Sequence, residues 1–316
     1  MFLSKNRYGK KVVLDDAVKS DGFYWRKYKL KQDIITGLIH KYDPIDAEKY
    51  YEDDKFYSEH VVGYEWFAKE HKEYIQGYWD AHFNHLISRM DTNLPLLDVG
   101  CGAGWFINSW NILKGKRHYA YGIEPSKMAR ECFDAAKPFI FADLFEFEEF
   151  RNDELDKYGL DISSFNILMS LVLEHIPDPV SFIKQYLPYM GETGTLTIVV
   201  PNDFSPLQRW LGSAHFIQDV HVNYFTPQSL LSVIYDALPD SDPVIKYEVK
   251  MSATFPMEIF ELLGFHYIED GDLGRKCHNF RLKFEKFFKK YAFKLYEKLY
   301  DKFGIGRELV FTIKRI

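Results

Sequence analysis

Cysteine is scarce in this sequence of 316 residues. The three cysteines, Cys101, Cys132 and Cys277, are scattered, and no C-x-x-C pair occurs. Disulfide frameworks and structural zinc modules need paired cysteines at short spacings. The sequence therefore predicts neither of them, and we expect no bound metal ion.

Long apolar runs are also missing. The longest ones, at residues 165–173 and 195–200, have the length of a strand, whereas a membrane-spanning helix needs about 18 or more apolar residues. The first residues, MFLSKNRYGKK, carry charge too early for the apolar stretch of a signal peptide. We therefore expect a cytoplasmic protein without a membrane span.

An excess of positive charge is absent as well. The chain has 40 Lys and Arg residues and 46 Asp and Glu residues, which gives a formal net charge of −6. Proteins that hold nucleic acid through their overall charge are basic, so this balance favours a small molecule over nucleic acid as the partner. The sequence leaves the oligomeric state open, and a homodimer is one of the arrangements it allows.

What the chain does have is apolar material in an alternating order. From residue 94, short apolar runs alternate with helical segments such as 126–136 and 180–190. Such alternation implies right-handed crossovers and a sheet covered on both faces. We predict an α/β fold with a doubly wound, mostly parallel seven-stranded sheet, formed by residues 91–251 and 307–316. The predicted strands are 94–100, 118–125, 137–144, 165–176, 194–201, 243–251 and 308–315.

Two helical additions flank this predicted core. Residues 1–90 are polar and aromatic-rich, and apolar side chains recur at mostly three- and four-residue spacings over 64–90, as in an amphipathic helix. We predict an N-terminal helical extension and lid there. Residues 252–306, between the sixth and seventh strands, are predicted to form a helical cap. Its stretch 275–302 carries ten Lys or Arg residues, which form either a solvated helix surface or an attraction for an anionic substrate.

A glycine-rich turn follows the first predicted strand. Glycine permits positive φ and lets a ligand approach bare backbone, and ligands of doubly wound sheets bind at the carboxyl ends of the strands. The dinucleotide fingerprint G-x-G-x-x-G is missing, because Trp105 or Ile107 stands where its third glycine belongs. A nicotinamide cofactor is therefore disfavoured. The turn and the residue that precedes it comprise Asp98, Gly100, Cys101, Gly102 and Gly104.

Three acidic residues at the ends of successive strands match three parts of one ligand. Asp98 would repel a phosphate but suits an ammonium group. Glu124 ends the second strand, where its carboxylate can accept hydrogen bonds from both hydroxyls of a ribose. Asp143, after the third strand, is placed to accept from an adenine amino group. Together these groups describe S-adenosylmethionine, although Asp98 could instead cap the amides of the glycine turn.

The chain resembles the class I S-adenosylmethionine-dependent methyltransferases. Three motifs occur in the order of that family, LLDVGCGAGWF (96–106), YGIEPS (121–126) and SLVLEHIPDP (170–179). The resemblance implies a Rossmann-like methyltransferase fold, with S-adenosylmethionine as cofactor and S-adenosylhomocysteine as product. It also implies these places along the cofactor: Asp98, Gly100, Cys101, Gly102 and Gly104 at the methionine end, Glu124 and Pro125 at the ribose, Asp143 and Leu144 beside the adenine, and Ser170 and Leu171 near the sulfonium.

The later segments VPNDFSPLQ (200–208) and DVHVNYFTPQSL (219–230) are similar to a narrower branch, the small-molecule methyltransferases of sugar, capsule and antibiotic biosynthesis. This likeness implies His221 as a general base, with Tyr224 close by. His175 is the competing base. Either histidine could instead have a structural role. The sugar C-methyltransferases of that branch carry an N-terminal zinc module with paired cysteines, which this sequence lacks.

Further residues are candidates for binding the acceptor. Asn202 follows the fifth strand, and Arg275, His278 and Arg281 group within two turns of the predicted cap. Arginine is well shaped for paired hydrogen bonds to phosphate or carboxylate, so this group could hold an anionic acceptor or could be ordinary helix surface.

We therefore predict S-adenosylmethionine-dependent methyl transfer to a small polar, anionic acceptor. The acceptor class is a sugar, a nucleotide-sugar or a surface-polysaccharide precursor, methylated on oxygen with His221 as base. Two alternatives remain: an RNA methyltransferase that uses the basic 275–302 helix, and a cofactor-binding subunit without activity. The sequence does not identify the acceptor, exclude N- or C-methylation, or show whether the cap moves.

Overall fold

The computed structural model describes the following parts of the chain: residues 86–115, 119–131, 139–158, 163–202, 220–239, 247–253 and 308–316, short segments between residues 2 and 44, and the single residues Phe83 and Phe204. Most of the predicted N-terminal extension and the cap from residue 254 onward lie outside this description.

Strands and helices alternate through the described core. The strands are β1 (Phe2–Lys5), β2 (Lys11–Leu14), β3 (Phe23–Trp25), β4 (Tyr28–Gln32), β5 (Ile39–Lys41), β6 (Leu96–Val99), β7 (Ala120–Ile123), β8 (Ile140–Phe141), β9 (Asn166–Ser170), β10 (Thr195–Pro201), β11 (Asn223–Tyr224), β12 (Tyr247–Ala253) and β13 (Glu308–Arg315). The helices are α1 (Trp105–Lys114), α2 (Lys127–Glu131), α3 (Leu144–Tyr158), α4 (Pro179–Tyr186) and α5 (Pro227–Ala237), with 3₁₀ turns at Leu173–His175 and Leu187–Met190.

The central sheet contains seven strands in the order β12-β13-β10-β9-β6-β7-β8. Strands β10, β9, β6, β7 and β8 pair in parallel, whereas β13 is antiparallel to both β10 and β12. The sheet is thus mostly parallel, and each of its strands overlaps one of the apolar runs that predicted it. The antiparallel insertion of β13 between β10 and β12 is a feature that the sequence pattern did not predict.

Burial on both faces explains why these strands appear in the sequence as unbroken apolar runs. Every residue of β6, β7 and β10 is buried, as expected for strands with helices on both sides. Leu97, Ile167 and Ile198 form the centre of the core at 0% exposure.

Capping residues determine where helices α4 and α5 begin. Asp178 accepts a hydrogen bond from the Ser181 amide at the start of α4, and Thr226 and Ser229 form a reciprocal capping box at the start of α5. Both helices have proline in their first turn, where its missing N–H is not needed. These caps end the two preceding loops, which carry His175 and His221.

The described N-terminal segments are strands, so the predicted helical extension over residues 1–90 is wrong for them. Strands β3, β4 and β5 form a four-stranded sheet with β11, and β1 pairs with β2. In β4, apolar Tyr28 and Leu30 alternate with Lys29 and Lys31, which is the two-residue period of a strand. The amphipathic pattern over 64–90 stays a prediction for most of its length.

Part of that amphipathic stretch is described and buried. Phe83 and Leu86 are helical and belong to the same apolar cluster as Trp110 of α1. The Phe83 and Trp110 rings meet edge to face, with their centroids 6.1 Å apart. Within the described residues, no helix has both the length and the apolar character that crossing a membrane requires.

Candidate active site

The order of the strands locates a crevice. From β6 the chain continues outward through β7 and β8, and it then returns to place β9 and β10 on the other side of β6. Ligands of open α/β sheets bind outside the carboxyl ends of the strands where the order reverses in this way. The residues that follow β6 and β9 therefore border the expected ligand site.

The loop after β6 depends on glycine for its shape. Gly100, Gly102 and Gly104 have φ values of 71°, 54° and 79°, a region that other residues adopt at a cost. The amides of Gly100 and Cys101 both donate to the Ile123 carbonyl, at 2.7 and 3.1 Å. A Cβ atom at Gly100 would lie 2.5 Å from Cγ2 of Val172, so the loop also needs glycine for its close contact with the segment after β9.

Glu124 ties this loop to the end of β7. Its Oε2 accepts from the Gly102 amide at 2.9 Å and its Oε1 accepts from the Ser126 amide at 3.0 Å. A carboxylate has about four lone-pair positions, which is more than these two amides use. Arg130 of α2 supports the same turn, since its Nη1 donates to the carbonyls of Glu124 and Pro125 at 2.6 and 2.7 Å. Sequence reasoning missed Arg130, although its i+6 spacing from Glu124 is visible.

Asp98 is a buried carboxylate at the carboxyl end of β6, with 1% of its surface exposed. Among the described residues, none donates a hydrogen bond to its Oδ2. Burial, and then the negative charge of Glu124, raise the pKa of Asp98 well above its ordinary value. The amides of Gly100, Cys101, Gly102 and Gly104 all have other acceptors, so capping of these amides does not account for this carboxylate.

Asp143 and Leu144 lie at the start of α3. Asp143 is exposed, and its Oδ1 accepts from the Glu146 amide at 2.9 Å while Glu146 accepts from the Ala142 amide at 2.7 Å. This reciprocal pattern is that of a helix cap. Asp143 therefore has a structural role in addition to the predicted contact with adenine. The predicted third strand is too long, since β8 is only Ile140–Phe141 and a helix begins at Leu144.

The segment after β9 holds a strained residue. Leu171 has φ of 59° and is the non-glycine residue with positive φ in the described chain. Its amide donates to the Val199 carbonyl at 2.9 Å, which anchors it to β10. Strained backbone of this kind is concentrated at ligand sites. Ser170, directly before it, accordingly ends β9 at the crevice.

Two histidines and a glutamate meet beyond this strained residue. The His175 and His221 rings lie 4.7 Å apart at 77°, and ligand atoms of Glu174, His175 and His221 all lie within 4.8 Å of one another. Glu174 and His221 are buried, and His175 is half-buried. Burial lowers the pKa of His175 to about 4, against the opposing effect of its hydrogen bond to the Val220 carbonyl. At neutral pH this imidazole is therefore uncharged.

Tyr224 and Asn202 complete the described part of the site. The Tyr224 hydroxyl donates to the His221 carbonyl at 3.1 Å, so Tyr224 holds the main chain of His221. Asn202 is buried at the end of β10, on the same edge of the sheet. The predicted acceptor-binding residues Arg275, His278 and Arg281 lie outside the described residues.

The sequence of the chain matches a known protein family. A family model described as a methyltransferase domain matches residues 71–236, more than half of the chain. This chain belongs to the methyltransferase domain family. The predicted enzyme class, an S-adenosylmethionine-dependent methyltransferase, is thereby confirmed.

Several solved structures are similar to this methyltransferase at low identity. One is an S-adenosylmethionine-dependent methyltransferase from Archaeoglobus fulgidus, with 15% identity, a TM-score of 0.45 and coverage of 76% of this chain and 94% of that chain. A methyltransferase from Thermotoga maritima has 14% identity, a TM-score of 0.44 and coverage of 79% and 96%. The plantazolicin methyltransferase BamL has 12% identity, a TM-score of 0.46 and coverage of 85% and 96%.

In this methyltransferase the two predicted bases turn out to be neighbours. Sequence reasoning treated His175 and His221 as competing bases. The Val222 amide donates to the Glu174 carbonyl at 2.8 Å, and this main-chain bond brings the loops together. Sequence reasoning considered Glu174 only as the neighbour of His175 in a Glu-His pair that orients the helix start or meets the acceptor, and it did not predict that Glu174 would lie next to His221.

Proposed function

We propose that this methyltransferase methylates a hydroxyl group of a small polar, anionic acceptor in the cytoplasm. A sugar, a nucleotide-sugar or a surface-polysaccharide precursor is the acceptor class. The observation that carries the proposal is the His175–His221 pair, which lies at the crevice edge next to the segment that contacts the glycine loop. Imidazole is the side chain best suited to move a proton at neutral pH.

The residues at the crevice fit S-adenosylmethionine. The buried Asp98 carboxylate, whose Oδ2 accepts no hydrogen bond from the described residues, suits the ammonium of the methionine end. The glycines of this loop have no side chains, so a ligand can approach their backbone, and Glu124 can accept from ribose hydroxyls. The cofactor supplies a methyl group on a sulfonium, which is already an activated donor.

His221 then takes the proton of the acceptor hydroxyl while that oxygen gains the methyl group. Its main chain is held by the Tyr224 hydroxyl, and its ring is held against His175. A fixed position is what this role needs, because methyl transfer requires the acceptor, the methyl carbon and the leaving sulfur in line. Arg275, His278 and Arg281 bind the anionic group of the acceptor in this proposal. Their role rests on the sequence pattern alone.

Labelled cofactor tests the acceptor class. The purified protein is incubated with methyl-labelled S-adenosylmethionine and a cell extract divided into small-metabolite and nucleic-acid fractions. We expect label in the small anionic fraction. Label in RNA or DNA would overturn the proposal in favour of the basic 275–302 stretch, and an O-methyl product is distinguished from N- or C-methyl products by its mass fragments.

Variants test the residues that carry the proposal. His221→Asn should lower kcat by about 100-fold or more, the range of a general base, and Tyr224→Phe should lower it less because only the anchor of His221 is lost. Glu124→Ala should abolish turnover through lost cofactor binding. If the wild-type protein binds S-adenosylmethionine but no fraction of the extract is labelled, the protein is a supporting subunit and not the enzyme proposed.

A further inference from the structure

Glu174, His175 and His221 form a donor set that metal ions use. One carboxylate oxygen and two imidazole nitrogens, all within 4.8 Å of one another, are three ligands that a single ion can bind together. Two histidines and one carboxylate constitute the ligand set of several catalytic metal sites, in which further coordination positions stay open. The scarcity of cysteine excluded thiolate sites only, and it does not bear on this set.

The hydrogen bond of His175 determines which of its ring nitrogens can bind a metal ion. A carbonyl oxygen can only accept, so the bond between His175 Nδ1 and the Val220 carbonyl at 3.2 Å places the ring proton on Nδ1. The lone pair is then on Nε2. Metal-binding histidines are commonly fixed in this way, by donating their other ring nitrogen to a backbone carbonyl.

Main-chain and side-chain bonds hold the two loops in register. The Val222 amide donates to the Glu174 carbonyl at 2.8 Å. Asn223 Nδ2 donates to the carbonyls of Leu173 and Ile176, at 3.3 and 2.5 Å, on either side of the Glu-His pair. These bonds hold the main chain around Glu174, His175 and His221 in place, as a preformed metal site requires. The half-buried His175 gives the cluster a side that solvent can reach.

We propose that Glu174, His175 and His221 bind one divalent transition-metal ion, such as Mn²⁺, Fe²⁺, Co²⁺ or Zn²⁺. Imidazole nitrogen suits these ions, whereas Mg²⁺ and Ca²⁺ prefer sites made of oxygen. The proposal departs from the expectation of a metal-free protein.

The ion gives the site a second way to activate a hydroxyl, and this role rests on the proposed function. The acceptor oxygen binds at an open position, where the ion lowers the pKa of the hydroxyl, and its proton passes to solvent water. The oxygen then uses a lone pair to bond the methyl carbon, and the carbon–sulfur bond breaks with its electron pair left on sulfur as a neutral thioether. His221 in the loaded enzyme holds the metal instead of taking the proton.

Metal binding is tested without cofactor or acceptor. The full-length protein is treated with chelator, dialysed and titrated by calorimetry with MnCl₂, ZnCl₂, CoCl₂ and MgCl₂, and Co²⁺ binding is also followed by its visible absorption. We expect one ion per chain and weak or no binding of Mg²⁺. Glu174→Gln, His175→Asn and His221→Asn should each weaken binding by about 100-fold or more, since even residues behind the ligands are worth about 10- to 100-fold.

The control is Glu192→Gln, which removes a carboxylate whose side chain is 84% exposed and should leave affinity unchanged. Circular dichroism and the apo melting temperature of each variant show whether it is folded. The proposal is overturned if transition metals do not bind at about 1 mM, or if folded cluster variants bind as the wild type does. Methyl transfer without metal binding would leave His221 as the base, and metal binding without label in small metabolites would overturn the proposed function alone.

Discussion

At the scale of single residues, two buried carboxylates differ in how far the fold compensates their charge. Glu124 is 3% exposed and its oxygens accept from two backbone amides, so its charge is compensated by the fold. Asp98 is equally buried, but its Oδ2 accepts no hydrogen bond from the described residues. A buried charge without such compensation is costly, and a cationic ligand is what would compensate it.

Asp98→Asn should therefore weaken the binding of S-adenosylmethionine. Hydrogen bonds to charged groups contribute about 1.5–3 kcal/mol, and about 1.4 kcal/mol corresponds to tenfold in affinity, so a loss of about 10- to 100-fold is expected by calorimetry. Asp153→Asn, on the exposed surface of α3, is the matched control. Equal affinity in the two variants would remove Asp98 from the ligand site.

The same residue should give the free protein a measurable pH dependence. Because the pKa of Asp98 is raised in the folded state, the native protein holds this proton more tightly than the unfolded chain. The contribution of this bound proton to the free energy of unfolding is complete below the pKa of Asp98 in the unfolded chain, near 3.8. It is lost as the pH rises through the pKa of Asp98 in the folded protein. Asp98→Asn should thus gain stability relative to wild type as the pH rises. Urea denaturation across this range measures the difference, and parallel pH curves would contradict the assignment.

At the scale of elements, the crevice is built by a strand, a glycine loop and a second strand that contact one another closely. The carbonyl of Ile123 in β7 accepts two amides of the loop after β6, and Gly100 lies against Val172, which follows β9. The glycine loop is thus shaped by two elements that are distant from it in sequence, β7 and the segment after β9, and its conformation depends on both of them.

Gly100→Ala should destabilise this unit through two separable causes. The φ of 71° disfavours a side chain, at about 1–3 kcal/mol for a strained position, and the new Cβ would also meet Val172. Urea denaturation of Gly100→Ala, Val172→Ala and the double variant separates these costs. The double variant should recover the part due to contact and keep the part due to φ. Additive losses would show that the contact contributes nothing.

At the scale of the whole molecule, the N-terminal strands are joined to the candidate active site through β11. The Lys41 amide of β5 donates to the Val222 carbonyl at 2.9 Å, and His40 Nδ1 lies 2.6 Å from Asn223 Oδ1. Asn223 also holds the carbonyls around the Glu-His pair. One buried asparagine therefore connects the small sheet, the 3₁₀ turn and the loop of His221.

Asn223→Ala should loosen this connection, with consequences for both stability and catalysis. The carbonyls and the imidazole that Asn223 contacts would lose a buried hydrogen-bond partner. This loss should lower the free energy of unfolding by about 1–3 kcal/mol, which urea denaturation measures. Hydrogen exchange at the Lys41 amide should become faster, and kcat should fall as the two histidines lose their support. Asn152→Ala, exposed on α3, is the control. A stability loss without any change in Lys41 exchange would argue against a link to the N-terminal sheet.

The burial of each element decided how well it could be predicted from the sequence. Strands β6, β7 and β10 are covered on both faces, so their apolar runs stood out in the sequence. The N-terminal strands were predicted as helix because the helical spacing of residues 64–90 was extended to the whole of residues 1–90, although β4 has the alternation of a strand. Helix α3 lies where the alternation of strands and helices predicted a helical segment, but its bounds were not predicted because it is acidic and its apolar stripe is sparse.

The sequence by itself determined the methyltransferase class and the position of the glycine loop, because these depend on residues that are adjacent in the chain. A strand followed by three alternating glycines can be recognised from neighbouring residues alone, although the conformation of the loop also depends on its contacts with Ile123 and Val172. Only the tertiary structure decided the pairing of His175 with His221 and the inclusion of Glu174, since these depend on main-chain bonds between loops that lie some 45 residues apart. It also decided that Asp98 is buried without a partner for Oδ2 among the described residues, because the environment of a side chain is set by the elements that surround it.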